Sequence, residues 1–208
     1  MIIEVNATDG DAGIQFFIDG PGWSRLEISD PNHQKIVDIE ASGGVGAQGL
    51  TELFCESAEP SFEEQSLAEL FARFPAGMYT CDGETVDGKS LSGRATFGHN
   101  LPAGPDIVFP AEGGGAINPS APVVIDWQPV TSPFPGTSLP VNVVGYEVIV
   151  ERLKPLPELS FDVKLPATLT QLTVSPEFLQ SNADYRIEVL AIDATGNQTI
   201  TERDFKTQ

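Results

Sequence analysis

Asn6, Asp9 and Asp11 stand close together at the start of the chain, interleaved with Ala7, Thr8 and Gly10. Calcium takes roughly six to eight oxygen ligands, and a turn rich in Asp, Asn and small residues can wrap side-chain and carbonyl oxygens around one ion. The spaced third Asp and terminal Glu of an EF-hand are absent, so that motif is excluded. Two readings stay open: a structural calcium site completed by a distant acid, or an ordinary Asp/Gly turn between two strands.

Two further stretches match nucleotide-binding patterns. Gly83-Glu84-Thr85-Val86-Asp87-Gly88-Lys89-Ser90 fits the phosphate-loop expression, which needs a helix after it so that backbone N–H groups face phosphate. Alternating residues follow instead, with Leu91, Gly93, Ala95 and Phe97 on one parity and Ser92, Arg94 and Thr96 on the other. That is a strand, so the segment reads as a hairpin turning about Asp87-Gly88, with type I′ chemistry. Gly44-Val45-Gly46-Ala47-Gln48-Gly49 fits the dinucleotide fingerprint, but no parallel strand with a ribose-binding acid returns. It reads as a flexible glycine loop, and Leu50–Glu59 after it has the length of a short helix ended by Pro60.

Other catalytic constellations are missing. His33 and His99 are isolated, no Gly-x-Ser-x-Gly or His-Glu-x-x-His occurs, and nothing nominates one carboxylate pair among many. Cys55 and Cys81 can form a disulfide or stay as two small buried thiols. Asn6-Ala7-Thr8 and Asn197-Gln198-Thr199 are glycosylation sequons. No catalytic residue and no cofactor is assigned, calcium apart.

Charge sets the class of partner. Thirty Asp and Glu against 11 Lys and Arg give −19 and a pI near 4.2. Such a surface repels nucleic acid and anionic membranes, and no apolar run is long enough to insert into a bilayer. A protein or polysaccharide surface is the expected partner. The start of the chain lacks the features of a signal peptide. Two readings stand, a cytosolic chain or an exported protein, extracellular or periplasmic, whose signal peptide is not in this chain; the acidity and missing chemistry suit the second.

The elements that would position these groups are mostly strands. In the first half, Ile2–Ala7, Gly13–Ile18, Ser24–Ile28 and Lys35–Glu40 are short β segments separated by Asp, Gly and Pro. One helix is expected near 66–74: Ser66 caps it, Glu69 completes a capping box, Leu67, Leu70, Phe71 and Phe74 form its apolar stripe, and Pro75 stops it. In the second half, Val144–Glu151 and Tyr185–Asp193 alternate with period two, and the β-branched run Val123–Trp127 and the short segments Phe161–Leu165, Leu169–Val174 and Thr199–Phe205 are further strands, separated by turns. Leu101–Pro110 supplies a first strand and a linker.

The order of a Trp strand, a Tyr strand, Leu179 and then Tyr185-x-x-x-Val189-x-Ala191 resembles the fibronectin type III family. The resemblance covers about half the chain. It implies an immunoglobulin-like sandwich with Trp127 and Tyr146 in its core, and a tyrosine corner in which Tyr185 bonds upstream backbone. Ser181 and Ala183 replace the family's usual Pro and Thr. The expected fold is therefore all-β, two β-sandwich domains in tandem: residues 1–101, with one short helix, and residues 102–208, fibronectin type III-like.

The expected function is a non-enzymatic extracellular scaffold or adhesion protein. The alternative is an accessory carbohydrate-binding component of polysaccharide-degrading systems, for which Trp23 is the candidate exposed aromatic. Contact is expected through loops at the sandwich ends. Phe134, between Pro133 and Pro135, is either an exposed anchor or a cover for its own core edge.

Overall fold

The computed structural model describes residues 1–208. The chain folds as two compact units, Met1–Ile3 with Ala12–His99 and Glu4–Asp11 with Asn100–Gln208. Glu4–Asp11, which local pattern leaves with the first half, thus belongs to the second unit.

The elements of the first half are β1 (Ile2–Asn6), β2 (Asp11–Ser29), β3 (Lys35–Glu40), α1 (Gly43–Gln48), β4 (Leu50–Glu56), α2 (Leu67–Arg73), β5 (Gly77–Thr85) and β6 (Ser90–Phe97). β2 is one strand where the sequence predicts two. It pairs antiparallel with β4 through Gln15–Asp19, then with β3 and β5 through Arg25–Ser29, with register shifts between Asp19 and Arg25. Gly20-Pro21-Gly22 is therefore a bend within the strand, where partners change. Proline and glycine are tolerated at such an irregularity because a ladder bond is already missing there.

The glycine segment also differs from its expected form. Residues 43–48 close one short helix with no buried side chain, and residues 50–56 extend as β4. A six-residue helix has too few internal bonds to stand alone; strands on both sides hold it. The expected α2 does form. Ser66 Oγ accepts the Glu69 N–H, and Glu69 Oε2 accepts the Ser66 N–H at 2.8 Å. Leu70 is its buried contact.

β5 and β6 make the expected hairpin, from Gly77↔Phe97 to Glu84↔Ser90. Its turn is not type I′. Only Gly88 has positive φ, at 79°, and the Gly88 N–H bonds Thr85 O while the Thr85 N–H bonds Lys89 O. That is a three-residue loop with glycine in the left-handed position. Gly83, the first glycine of the phosphate-loop pattern, serves sheet packing: a Cβ there would lie 2.4 Å from the Arg25 carbonyl oxygen.

The second unit holds β7 (Ile107–Phe109), β8 (Val123–Trp127), β9 (Val143–Lys154), β10 (Leu159–Pro166), β11 (Gln171–Val174), β12 (Asp184–Asp193) and β13 (Gln198–Lys206). Strands β10, β9, β12, β13 and β1 lie side by side in that order, and β11, β8 and β7 make a second sheet. β1 joins parallel to β13, Glu4↔Gln198 to Asn6↔Ile200. The core draws on both sheets: Val123, Ile125 and Trp127 meet Tyr146, Val148, Val150, Tyr185, Ile187 and Val189. Trp127 and Tyr146 have the predicted core positions, at 1% exposure each, with ring centroids 5.3 Å apart and edge-on.

Candidate functional site

Each predicted site residue has a definite place. Asn6, Asp9 and Asp11 do share one turn in the second unit. Asn6 Oδ1 accepts the backbone N–H groups of Thr8 and Asp9 at 3.0 and 3.1 Å, and its Nδ2 donates to Glu202 Oε1 at 2.8 Å. The amide thus helps to build the turn, with the Asn6 carbonyl accepting the Gly10 N–H at 2.9 Å and the Thr8 hydroxyl accepting the Glu202 N–H at 2.8 Å. Partial burial first, then the charges of Asp9 and Glu202, pushes the Asp11 carboxyl up from its ordinary value. Arg186 answers part of that charge, reaching Glu202 at 2.9 Å and Asp204 at 3.0 Å.

The acids continue across the outer face of the β9–β12–β13 sheet. Glu188 stands directly opposite Glu202. Burial, then the neighbouring charges of Glu151 and Glu202, pushes the Glu188 carboxyl up to about 7, against partial relief from Arg186.

Phe134 is half-buried in its loop. Its N–H bonds the Leu101 carbonyl at 2.9 Å, and its own carbonyl accepts both the N–H and the hydroxyl of Thr137. The loop is a hydrogen-bonded turn rather than a loose arm.

Side chains with chemical potential elsewhere serve packing. The His99 ring stacks on Phe71 with centroids 4.1 Å apart, and its Nε2 lies 2.8 Å from the Phe74 carbonyl oxygen. Cys55 and Cys81 are unbridged thiols on β4 and β5. Burial, with Asp82 nearby, pushes the Cys81 thiol up, away from the reactive thiolate form. The Tyr146 hydroxyl accepts the Val130 N–H at 2.8 Å, and the Tyr185 hydroxyl accepts the Gln180 N–H at 2.7 Å. The second contact is the expected tyrosine corner. Asn197 of the second sequon is 1% exposed and donates to the Asn100 carbonyl.

Trp23 overturns its expected role. It is 1% exposed, in the core of the first unit with Leu26 and Ile28. It lines a cavity of about 270 Å³ together with Phe16, Ile18, Tyr79 and Leu91. An indole so placed cannot serve as a sugar platform.

The surface aromatics are instead Phe17 and Phe54, 59% and 58% exposed. They are direct cross-strand partners of β2 and β4, flanked on the same face by Gln15↔Glu56 and Asp19↔Glu52. The sequence carries a faint signal for Phe17, because Ile14, Phe16 and Ile18 form the apolar parity and Phe17 falls among Gln15 and Asp19. Phe54 likewise sits between Glu52 and Glu56 in alternation. Their meeting is invisible without the register.

No protein-family model matches the chain, and no curated protein does. Among solved structures, one titled as a two fibronectin type-III domain segment from chicken tenascin aligns over 96% of this chain and 94% of its own, at 12% identity and a TM-score of 0.35. Another, titled "Myokine structure", aligns over 53% of this chain and 98% of its own, at 14% identity and a TM-score of 0.34. The all-β assignment stands on the strands and sheets described above. No helix is long and apolar enough to cross a membrane.

Proposed function

We propose that this chain is a non-enzymatic scaffold or interaction protein built of β modules, working in an extracellular or periplasmic space. The observation that carries the reading is where the reactive side chains go. Both buried phenols of the second unit, Tyr146 and Tyr185, tie connecting loops to the sandwich through backbone N–H groups. Arg152, 8% exposed, adds bonds to the Gln180 side chain at 2.6 Å and the Pro157 carbonyl at 2.9 Å. Groups used this way rigidify a framework, and rigid frameworks present surfaces and loops to partners. The fibronectin type III resemblance of residues 102–208 agrees with such a role, since that architecture hosts many contact functions. The carbohydrate alternative loses its supporting residue with the burial of Trp23.

The test is cross-linking of the chain in its own cells, followed by fractionation. The protein should be recovered outside the cytoplasm, joined to a second macromolecule. Recovery in the cytosol alone, or turnover of magnesium-ATP, NAD or a glycoside by the purified chain, would overturn the reading.

A further inference from the structure

We propose that β4 docks an extended, positively charged segment of a partner protein, added as a further strand along its free edge. The proposal rests on the reading of the chain as an interaction protein. β4 pairs with β2 and with no other strand, so a row of its backbone N–H and C=O groups is open to another chain.

The face beside that edge defines the partner. Phe17 and Phe54 make an exposed apolar centre, of the aromatic kind that anchors interfaces. Around it stand the carboxylates of Asp19, Glu52 and Glu56, all exposed. Glu56 accepts the Gln15 side-chain amide at 2.8 Å, and none of the three carboxylates takes part in an ion pair. Elsewhere on the sheet edges a lysine stands among the acids: Lys35 of β3 pairs with Glu27 and Asp38, and Lys164 of β10 pairs with Glu147 of β9. At β4 the cation is the missing complement. Lysine supplies it as a point charge, and arginine can also lie over a phenylalanine face.

Strand geometry fixes the pattern. Glu52, Phe54 and Glu56 lie on one face at two-residue spacing, so an added strand places its own i, i+2 and i+4 side chains beside them. The matching sequence is basic, apolar, basic at alternate positions. A second copy of this chain fits poorly. It would bring −19 against −19, and pairing about Phe54 would set Glu52 against Glu56, like charge against like.

The test uses the full chain labelled with nitrogen-15 and the peptide Thr-Lys-Thr-Phe-Thr-Lys-Thr. The control is an isomer of the same composition with both lysines and the phenylalanine adjacent. Amide shifts are expected to centre on residues 50–56 and 15–19. The alternating peptide should bind roughly tenfold tighter than its isomer, and weaken about tenfold between about 50 and 500 mM salt, as screened charges do. Phe54→Ser should abolish binding with the melting curve unchanged. The Glu52→Lys/Glu56→Lys variant should lose this peptide and bind the version with Glu in place of Lys. Equal binding of the isomer would mean diffuse attraction to an acidic surface and overturn the proposal. So would shifts elsewhere, no binding, or saturation of the same residues by an oligosaccharide or by self-association. Any of these outcomes leaves cross-linking to a partner unaffected, so the broader reading fails or stands separately.

Discussion

The Tyr185 hydroxyl accepts the backbone N–H of Gln180 at 2.7 Å, five residues upstream. The ring is held by Phe205, stacked at 4.9 Å, and by Phe178 at 6.1 Å. Tyr185→Phe keeps the ring and orphans the Gln180 N–H. Gln180 is itself exposed and the bond only part-buried, so water takes over part of the lost partner and the cost falls at the low end, about 1 kcal/mol. Chemical denaturation should show that loss with no change in the slope against denaturant.

Trp127 separates packing from hydrogen bonding. Its indole is 1% exposed and its Nε1 has no hydrogen-bond partner. Trp127→Ala is expected to destabilise by about 3–5 kcal/mol through the cavity it leaves. Trp127→Phe removes the unsatisfied N–H along with part of the volume, so it should cost clearly less. Equal losses in equilibrium unfolding would show that the N–H contributes to stability after all.

Glu188 makes stability depend on pH. Its carboxyl is pushed from 4.5 up to about 7 by burial and by Glu151 and Glu202. The folded state therefore keeps a proton that the unfolded chain releases near 4.5. Stability is present in full below that value and declines as pH rises through about 7. The side chain is only half-buried, so solvent screening reduces the effect to about 1–2 kcal/mol. Glu188→Gln should be more stable than the parent at pH 8 and indistinguishable from it at pH 4. Unfolding curves at those two pH values decide.

The turn at Asn6, Asp9 and Asp11 is tested with divalent cations. A calcium ion held by these residues would raise the melting temperature more than magnesium does, because magnesium demands a small octahedral shell. The excess would vanish in Asp9→Asn/Asp11→Asn. Equal shifts from both metals would leave the turn to its own hydrogen bonds. In metal-free buffer near neutral pH, Asp11→Asn is expected to stabilise the chain, since partial burial, and then Asp9 and Glu202, disfavour its charged form.

The parts legible in sequence are those decided by neighbouring residues. Period-two alternation located Val144–Glu151 and Tyr185–Asp193, because one face of each strand is buried and the other partly solvated. Ser66 and Glu69 announced the start of α2, because capping is completed within four residues. Trp127 and Tyr146 could be placed because each lies on the apolar parity of its own strand, whereas the role of Tyr185 came only from the family resemblance. Tertiary structure decided the rest. The transfer of Glu4–Asp11 to the second unit depends on parallel pairing of β1 with β13, almost 200 residues away. The bend at Gly20–Gly22, the burial of Trp23 and the meeting of Phe17 with Phe54 all follow from which strands β2 pairs with along its length. Register between distant strands is set by the sum of many side-chain contacts and backbone bonds. Local pattern says which residues face together along one strand, and only the assembled sheet says what stands opposite them.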